Sequence, residues 1–291
     1  MVLGFIIGIS LVDDASNSQY NELRWFIDIL DGKKINPDSG LKDDPIPGAL
    51  NDYHNEYQAA GLDNTIPWYA TPGNHDHLWT GTNPMNDYIR KTLVSDSFMK
   101  MGNIFNPGGF QLRDYYLGVL DGRTPDGDII GAGPVKSTTA IKIPADPNRR
   151  SLLREEWLGE FFNTSSNPVG HGFNKADAAR GFACYTFDPK SNMPVRMIVL
   201  DVTQKESDPD IHGYGHGSLD KERYEWLVKE LDKCQSEGKL MIIAAHIPIR
   251  VEPPGSFVGC WSEAFVTEAA LITKLNTYPN LLAWIQQDIV M

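Results

Sequence analysis

The chain has 291 residues, of which 41% are hydrophobic and 22% are charged, as in an ordinary globular protein. Its 38 acidic residues outnumber the 26 basic ones, which gives a formal net charge of -12 at pH 7. Such a charge argues against a nucleic-acid partner, which requires basic stripes, but is compatible with a metal enzyme. The three cysteines include no CxxC pair and predict no disulfide framework.

The apolar run in MVLGFIIGISLV predicts a buried strand at the start of the chain. The run is about ten residues long, whereas a membrane-spanning helix needs ~20. It has neither the basic start nor the small-residue cleavage site of a signal peptide. We therefore expect no membrane span, and the sequence leaves the compartment and the oligomeric state open.

Strands alternate with helices along the chain, which is typical of an α/β layered fold. After the first strand, apolar residues at helical spacing predict a helix that ends at Asp31-Gly32. These residues are Tyr20, Leu23, Ile27 and Leu30. Residues 33–64 form a polar connection rich in Pro and Gly, and IPWYAT predicts a short strand that ends at Pro72-Gly73.

The pattern is looser from about residue 78 to 180, where turn-rich pieces surround one predicted helix, SLLREEWLGEFF. Long segments of this kind in compact domains are usually lids or binding loops. We therefore expect a single domain, 1–291, in which an insertion or cap at about 78–180 covers a cleft and contacts substrate.

Regular elements return in the last third of the chain. GFACYTFDP and VRMIVLDVT predict a β-hairpin, and KLMIIAA predicts a fully apolar strand in the middle of a sheet. An amphipathic helix that is closed by Gly238 lies between them. Residues 262–275 predict another helix, and NLLAWI predicts a last strand.

Polar side chains follow three of these strands. Asp13, Asn74 and His246 come after FIIGISLV, WYATPG and LMIIAA. Ligands of open α/β sheets bind outside the carboxyl ends of the strands, and this set of oxygen and nitrogen atoms suits Mn, Fe or Zn. His75 lies beside Asn74 and could donate a proton, with Asp76 placed to orient its ring.

The motifs GNHD at 73–76 and AAHIP at 244–248, together with Asp13, resemble the calcineurin-like metallophosphoesterases. SLVDDASNSQYNELRWFIDILDGK, AAGLDNTIPWYATPGNHDHLW and HGYGHGSLD resemble a bacterial subgroup with a long insertion after GNHD. The resemblance covers essentially the whole chain. It implies a four-layer α-β-β-α sandwich with two mixed sheets and a dinuclear metal centre. It also implies a small phosphate mono- or diester as substrate.

The resemblance also implies a role for each matching residue. Asp13 would bridge the two metals, and Asn74 and His246 would bind the second metal. His75 would be the general acid for the leaving alkoxide, with Asp76 as its partner. The two metals would clamp the phosphoryl oxygens and activate a hydroxide for in-line attack.

The sequence departs from the family pattern in several places. The first motif, Asp-x-His, should lie upstream of residue 1, and the last, Gly-His-x-His, should follow NLLAWI, but neither is present. Val12 replaces the glycine of the second motif, and Ser16 stands where Asp or Asn is usual. The motifs that are present provide three ligands for one metal and one ligand for the other. We therefore expect a truncated chain that binds at most one Mn, Fe or Zn ion and has reduced activity.

Each candidate has a structural alternative. Asp13 and Asp14 could cap the helix near Tyr20, His246 could be a hydrogen-bonded core residue, and 74–76 could form a turn. A fold-retaining fragment or interaction module without turnover is the alternative function, since fold does not guarantee activity.

Three further histidines are candidates for the substrate side of the cleft. They are His77, His212 and His216. The last two belong to HGYGHG, and a glycine-flanked surface loop explains that segment equally well.

Overall fold

In a computed structural model, the described residues are 6–38, 55–96, 144–205, 207–208, 214–249, 261 and 265–286, with four two-residue strands between 99 and 137. Six α-helices and several small sheets lie within these residues. The fold is therefore mixed α/β, which confirms the predicted combination of helices and strands.

The main sheet has four strands in the order β11-β12-β13-β14. The strands are β11 (Tyr185–Phe187), β12 (Val195–Val199), β13 (Leu240–Ala244) and β14 (Leu281–Ile285). The first pair is antiparallel, which confirms the predicted hairpin. The next two pairs are parallel and place the apolar strand β13 inside the sheet, as predicted.

A second, parallel sheet joins β1 (Gly8–Ser10) to β4 (Trp68–Ala70). The strand predicted at the start of the chain is therefore present, but its described part is short and only half-buried. One further bond, from the amide of Thr71 to the carbonyl of Ser10, continues the pairing toward the GNHD segment. This pairing brings residues 11–16 and 71–76 together at one edge.

The remaining described strands form two-residue antiparallel pairs. They are β2 (Lys34–Ile35) with β3 (Tyr57–Gln58), β5 (Leu78–Trp79) with β6 (Asn83–Pro84), β7 (Met99–Lys100) with β10 (Lys136–Ser137), and β8 (Asp128–Ile129) with β9 (Gly133–Pro134). The β5–β6 hairpin directly follows GNHD and folds back over it.

Local capping sets several of the helix ends. The helices are α1 (Tyr20–Leu30), α2 (Asp87–Val94), α3 (Arg154–Glu160), α4 (Lys175–Ala178), α5 (Lys221–Ser236) and α6 (Glu268–Leu275), with a 3-10 turn at Pro147–Arg149. Side chains of Asn86, Asp220 and Thr267 accept bonds from first-turn amides. The last of these caps makes α6 begin later than the sequence pattern predicted.

Two hydrophobic clusters lie on opposite faces of the main sheet, because neighbouring residues of a strand point to opposite sides. On one face, Ile198 and Ile243 pack with Leu227 of α5 and Leu271 of α6. The other face, which includes Val199, packs with residues of β4, α1 and α3. This packing fixes the positions of the carboxyl ends of β1, β4 and β13 relative to one another.

Part of the predicted insertion contributes to the core. Trp157 of α3 and Phe161, the C-cap residue of that helix, are fully buried in the same cluster as Leu23 and Trp68. The described helix α3 is therefore also a structural element that packs in the same cluster as β4, and the cap at about 78–180 stays a prediction. Residues 101–127 lie outside the described part of the chain.

Candidate functional site

Asp13, Asn74 and His246 come together from three different strand ends. Nε2 of His246 lies 3.0 Å from Oδ1 of Asn74 and 3.4 Å from Oδ1 of Asp13. Asn74 and His246 are almost fully buried, while Asp13 is partly accessible. The three residues that strand-end placement singled out therefore share one small region.

Hydrogen bonds from the outer nitrogen atoms of His246 and Asn74 fix the orientation of these two side chains. Nδ1 of His246 donates to the carbonyl of Leu11 at 2.7 Å, and Nδ2 of Asn74 donates to the carbonyl of Gly81 at 2.9 Å. A neutral His246 therefore presents a lone pair at Nε2, opposite two oxygen atoms that also carry lone pairs. This arrangement suits a cation placed between the three groups.

Two glycines allow this close approach. A Cβ at Gly73 would lie 2.0 Å from Oδ1 of Asp13 and 3.1 Å from Cε1 of His246. At Gly81, which has a φ of +73°, a Cβ would lie 2.4 Å from Nε2 of His75. The missing side chains make room for the polar groups around GNHD.

The proposed pairing of Asp76 with His75 is wrong. Nδ1 of His75 donates to the carbonyl of Ser16 at 2.9 Å. Asp76 is fully buried, and its carboxylate accepts from the amides of Asp14, Ala15 and Gly73. Asp76 therefore joins the two loops of the site, because its side chain turns into the protein and away from the half-buried His75.

Two buried carboxyl groups lie side by side behind the site. Burial raises the pKa of Asp76 well above its usual range, and the charges of Asp14 and Asp13 raise it further. Burial likewise raises the pKa of Asp14, which accepts a hydrogen bond from the hydroxyl of Ser10 at 2.9 Å. Neither Asp13 nor Asp14 caps α1, whose N-cap is Gln19, so that structural alternative is wrong.

His77 lies on a different side of the chain from His75. It is 8% exposed and packs edge-on against Trp157, with ring centroids 5.4 Å apart. Burial lowers the pKa of His77 well below its usual value, and the guanidinium of Arg154 lowers it further. It lines a cavity together with Arg154 and other cationic side chains.

The HGYGHG segment is described only from residue 214 onward, so His212 lies outside the described residues. A Cβ at Gly215 would lie 2.9 Å from the carbonyl of Gly81, which places this segment beside the GNHD turn. His216 is buried, and its amide donates to Oε1 of Gln204 at 2.7 Å. The segment therefore connects the convergent site to the cavity that His77 lines.

Sequence analysis did not identify a buried ionic network that follows β12. Nη1 of Arg154 donates to Asp201 at 2.6 Å, and Arg223 donates to the carbonyls of Asp201 and Thr203. Burial tends to raise the pKa of Asp201, but the two guanidinium groups outweigh it and hold the pKa far below its usual range. The only sequence signal was a carboxylate directly after a buried strand, in LDVTQ.

Within the described ranges, no group of three or more His, Cys, Asp or Glu side chains is arranged to hold a metal ion. The convergent site contains only two residues of these types, Asp13 and His246, and its third candidate ligand is the amide oxygen of Asn74. Any metal at this site would therefore depend on an amide ligand.

No family model matches the chain, and no curated protein or solved structure matches it either. Among the helices that the structure describes, none has the length and apolar character needed to cross a membrane.

Proposed function

We propose that this chain is a metal-dependent phosphoesterase of the calcineurin-like type that hydrolyses small phosphate mono- or diesters. One divalent ion, Mn, Fe or Zn, would bind between Asp13, Asn74 and His246. The observation that carries the proposal is the convergence of Nε2 of His246 on two oxygen atoms, at 3.0 and 3.4 Å.

The chemistry of the three groups fits such an ion. Imidazole, carboxylate and amide oxygen together suit a borderline divalent metal better than a soft one. The outer nitrogen of His246 donates to a backbone carbonyl, as metal-binding histidines almost always do to a carbonyl, carboxylate or water. The far side of Asn74 is anchored in the same way, so its oxygen is oriented toward the site.

We also propose the finer architecture, a four-layer α-β-β-α sandwich. The packing of α5 and α6 on one face of the main sheet supports it. On the other face, the rings of Tyr69 of β4 and Phe187 of β11 stack with centroids 3.6 Å apart. Helices α1 and α3 pack in the same cluster as β4 and supply the fourth layer.

In this proposal, His75 is the general acid. Its Nδ1 is held by the carbonyl of Ser16, and its ring is half-buried beside Gly81, so Nε2 is the nitrogen available for proton transfer. A bound divalent ion would supply Lewis-acid polarisation of a phosphoryl oxygen and a water nucleophile near neutral pH. Asp76 keeps the two loops in register through its three backbone hydrogen bonds.

A binding module without turnover is the second candidate. It is favoured by the small number of candidate ligands among the described residues, which suffice for one ion only. Metal binding with no hydrolysis would support this candidate over the phosphoesterase.

The test separates metal binding from catalysis in the full chain. The protein is loaded with Mn²⁺, metal is counted by elemental analysis, and aryl phosphate mono- and diesters are assayed. We expect about one Mn per chain and measurable hydrolysis. His246→Ala should lose both, whereas His75→Ala should keep the metal and lose turnover by about 10²–10⁴-fold.

The pair of variants also serves as its own control. Equal loss of metal in both variants would show that His75 is a ligand rather than an acid. Full hydrolysis by His246→Ala would contradict the proposed site.

A further inference from the structure

The carboxylate of Glu22, in the first turn of α1, accepts hydrogen bonds from the loop that precedes this helix. Its Oε2 accepts from the amides of Ser16 and Asn17, at 2.8 and 3.1 Å, and its Oε1 accepts from Nε2 of Gln19 at 3.1 Å. The side chain is half-buried. Because one oxygen binds the amides of two successive residues, the carboxylate fixes the path of the backbone at 16–17.

The peptide group between Ser16 and Asn17 connects this carboxylate to His75. Its N–H belongs to Asn17 and donates to Glu22, and its C=O belongs to Ser16 and accepts from Nδ1 of His75 at 2.9 Å. A trans peptide group is planar, and its N–H and C=O point in opposite directions. The bond from the N–H to Glu22 therefore turns the carbonyl toward the imidazole.

The other side of the His75 ring is also connected to Asn17. Oδ1 of Asn17 accepts from the amide of Thr80 at 2.9 Å, in the turn of the β5–β6 hairpin. The next residue, Gly81, lies against the ring, since a Cβ there would be 2.3 Å from Cδ2 of His75. The imidazole is therefore held between a carbonyl and a turn, and both are bonded to the segment that Glu22 binds.

We propose that Glu22 is the positioning residue for His75. It has the role that the sequence assigned to Asp76, whose carboxylate bonds to backbone amides instead. Through the peptide group, Glu22 keeps Nδ1–H of His75 on the carbonyl and leaves Nε2 for the proton that is transferred. The role in turnover rests on the proposed function, whereas the orientation of the ring does not.

The orientation is tested by nitrogen NMR of the isotope-labelled full chain, without metal and at about pH 9, where an ordinary imidazole is neutral. The signals of His75 are identified by their absence in His75→Ala. We expect the Nδ1–H tautomer in the unchanged protein, and a shift toward the Nε2–H tautomer in Glu22→Ala. An unchanged tautomer in Glu22→Ala would overturn the proposal, as would the Nε2–H form in the unchanged protein.

Glu22→Gln separates hydrogen bonding from charge. Glutamine keeps one oxygen for the two amides, and its new NH₂ group would face Gln19. Oε1 of Gln19 has no hydrogen-bond partner among the described residues, so a flip of that amide restores the contact. We therefore expect Glu22→Gln to keep the Nδ1–H tautomer. The same tautomer shift in Glu22→Gln and Glu22→Ala would contradict positioning through the two amides.

The role in turnover is tested with Mn²⁺-loaded protein and two esters, phenyl phosphate and para-nitrophenyl phosphate. Glu22→Ala should keep about one Mn per chain and lower kcat for phenyl phosphate by about 10–100-fold at nearly constant KM, because a displaced acid is lost in the transition state only. The loss should be smaller for para-nitrophenyl phosphate, whose better leaving group needs the proton less. Loss of the metal, or equal losses for both esters, would overturn the role in turnover.

A double variant shows whether Glu22 acts through His75. In the His75→Ala background, Glu22→Ala should lower kcat no further, since no imidazole is left to position. A further loss of tenfold or more would place its effect elsewhere. If the unchanged protein hydrolyses neither ester, the proposed function fails, and the NMR comparison alone decides whether Glu22 orients the ring.

Glu156→Ala is the matched control. Glu156 also accepts from a backbone amide at the start of a helix, that of Leu153 at 2.8 Å, but it is exposed and its partner is not part of the path to His75. The control should keep both the tautomer and kcat. Equal losses of kcat in Glu156→Ala and Glu22→Ala would show a general effect of destabilised helix ends and contradict the proposal.

Discussion

Gly73 allows the carboxylate of Asp13 and the ring of His246 to lie against the same stretch of backbone. A methyl group at this position would overlap the carboxylate at 2.0 Å, well inside van der Waals contact. Relief would require Asp13 to move, and its Oδ1 also accepts from the amide of His75 at 3.0 Å. One hydrogen atom in place of a methyl group therefore decides whether the site can assemble.

Gly73→Ala should disrupt the site and destabilise the fold. Forced overpacking of a buried position typically costs about 1–3 kcal/mol, and displaced Asp13 would no longer face His246. We expect a lower denaturant midpoint and a loss of Mn²⁺ binding. Gly159→Ala in α3 is the matched control, because a Cβ there meets nothing within 4 Å. It should stabilise the helix by about 0.5–1 kcal/mol and leave metal binding unchanged. Mn²⁺ binding equal in the two variants would contradict the close-packed site.

Individual residues of the site were predictable to different degrees. All three candidate metal ligands follow strand ends, and the parallel strands β1 and β4 bring Asp13 and Asn74 to one edge. His246 follows β13 of the other sheet and joins them because the two sheets pack through a shared apolar cluster. The direction of Asp76 did not follow, since consecutive residues of a tight turn point to different sides. The cavity around His77 could not be predicted either, because its lining comes from distant parts of the chain.

At the scale of elements, the segment 164–171 covers the free edge of β4. The amide of Trp68 donates to the carbonyl of Asn167 at 3.0 Å, and the amide of Ala70 donates to that of His171 at 3.1 Å. The hydroxyl of Tyr185 in β11 also donates to the carbonyls of Ala70 and His171, at 2.8 and 3.1 Å. This segment therefore ties the edge of one sheet to the other.

The imidazole of His171 makes this junction sensitive to pH. Burial lowers its pKa from 6.5 to about 4, although the carbonyl of Trp68 and the charge of Asp31 act in the opposite direction. The unfolded chain therefore takes up a proton near pH 6.5, while the folded chain takes it up only near pH 4. The contribution of His171 to the free energy of unfolding should be fully present above pH 6.5. The free energy of unfolding should then fall by roughly 2–3 kcal/mol as the pH drops to 4.

His171→Asn provides the comparison, because Asn lacks the titration and tolerates the positive φ of this position. The free energy of unfolding of both proteins is measured with denaturant across this pH range. In the difference between the two curves, the contributions of the shared carboxyl groups cancel. The variant should lack the part of the slope that His171 contributes. Parallel curves for the two proteins would count against the assignment.

Local patterns predicted the elements that have an amphipathic face or a continuous apolar run. Helix α1 spans Tyr20–Leu30 as its spacing indicated, because Leu23 and Ile27 are both fully buried. NLLAWI forms β14 as expected. The two-residue strands were not predictable, since pairs that short have no periodicity to detect.

At the scale of the whole molecule, the candidate metal ligands belong to both sheets. Asp13 and Asn74 follow β1 and β4, whereas His246 follows β13 of the main sheet. The two sheets otherwise meet through the apolar cluster between them. An ion bound at this point would bind only the assembled fold, because the unfolded chain does not bring the three groups together.

Divalent metal should therefore raise the thermal stability of the whole chain. A ligand that binds only the folded state, at 100 times its Kd, adds about 2.7 kcal/mol, and 1 kcal/mol corresponds to roughly 2–4 °C in Tm for a chain of this size class. We expect Mn²⁺ to raise the Tm by about 5–10 °C on this basis, and a chelator to reverse the shift. His75→Ala should respond like the unchanged protein, because His75 lies outside the ligand set. His246→Ala should show no shift, since the main sheet would then contribute no ligand to the site. A shift that survives His246→Ala would mean that the metal binds elsewhere and does not link the two sheets.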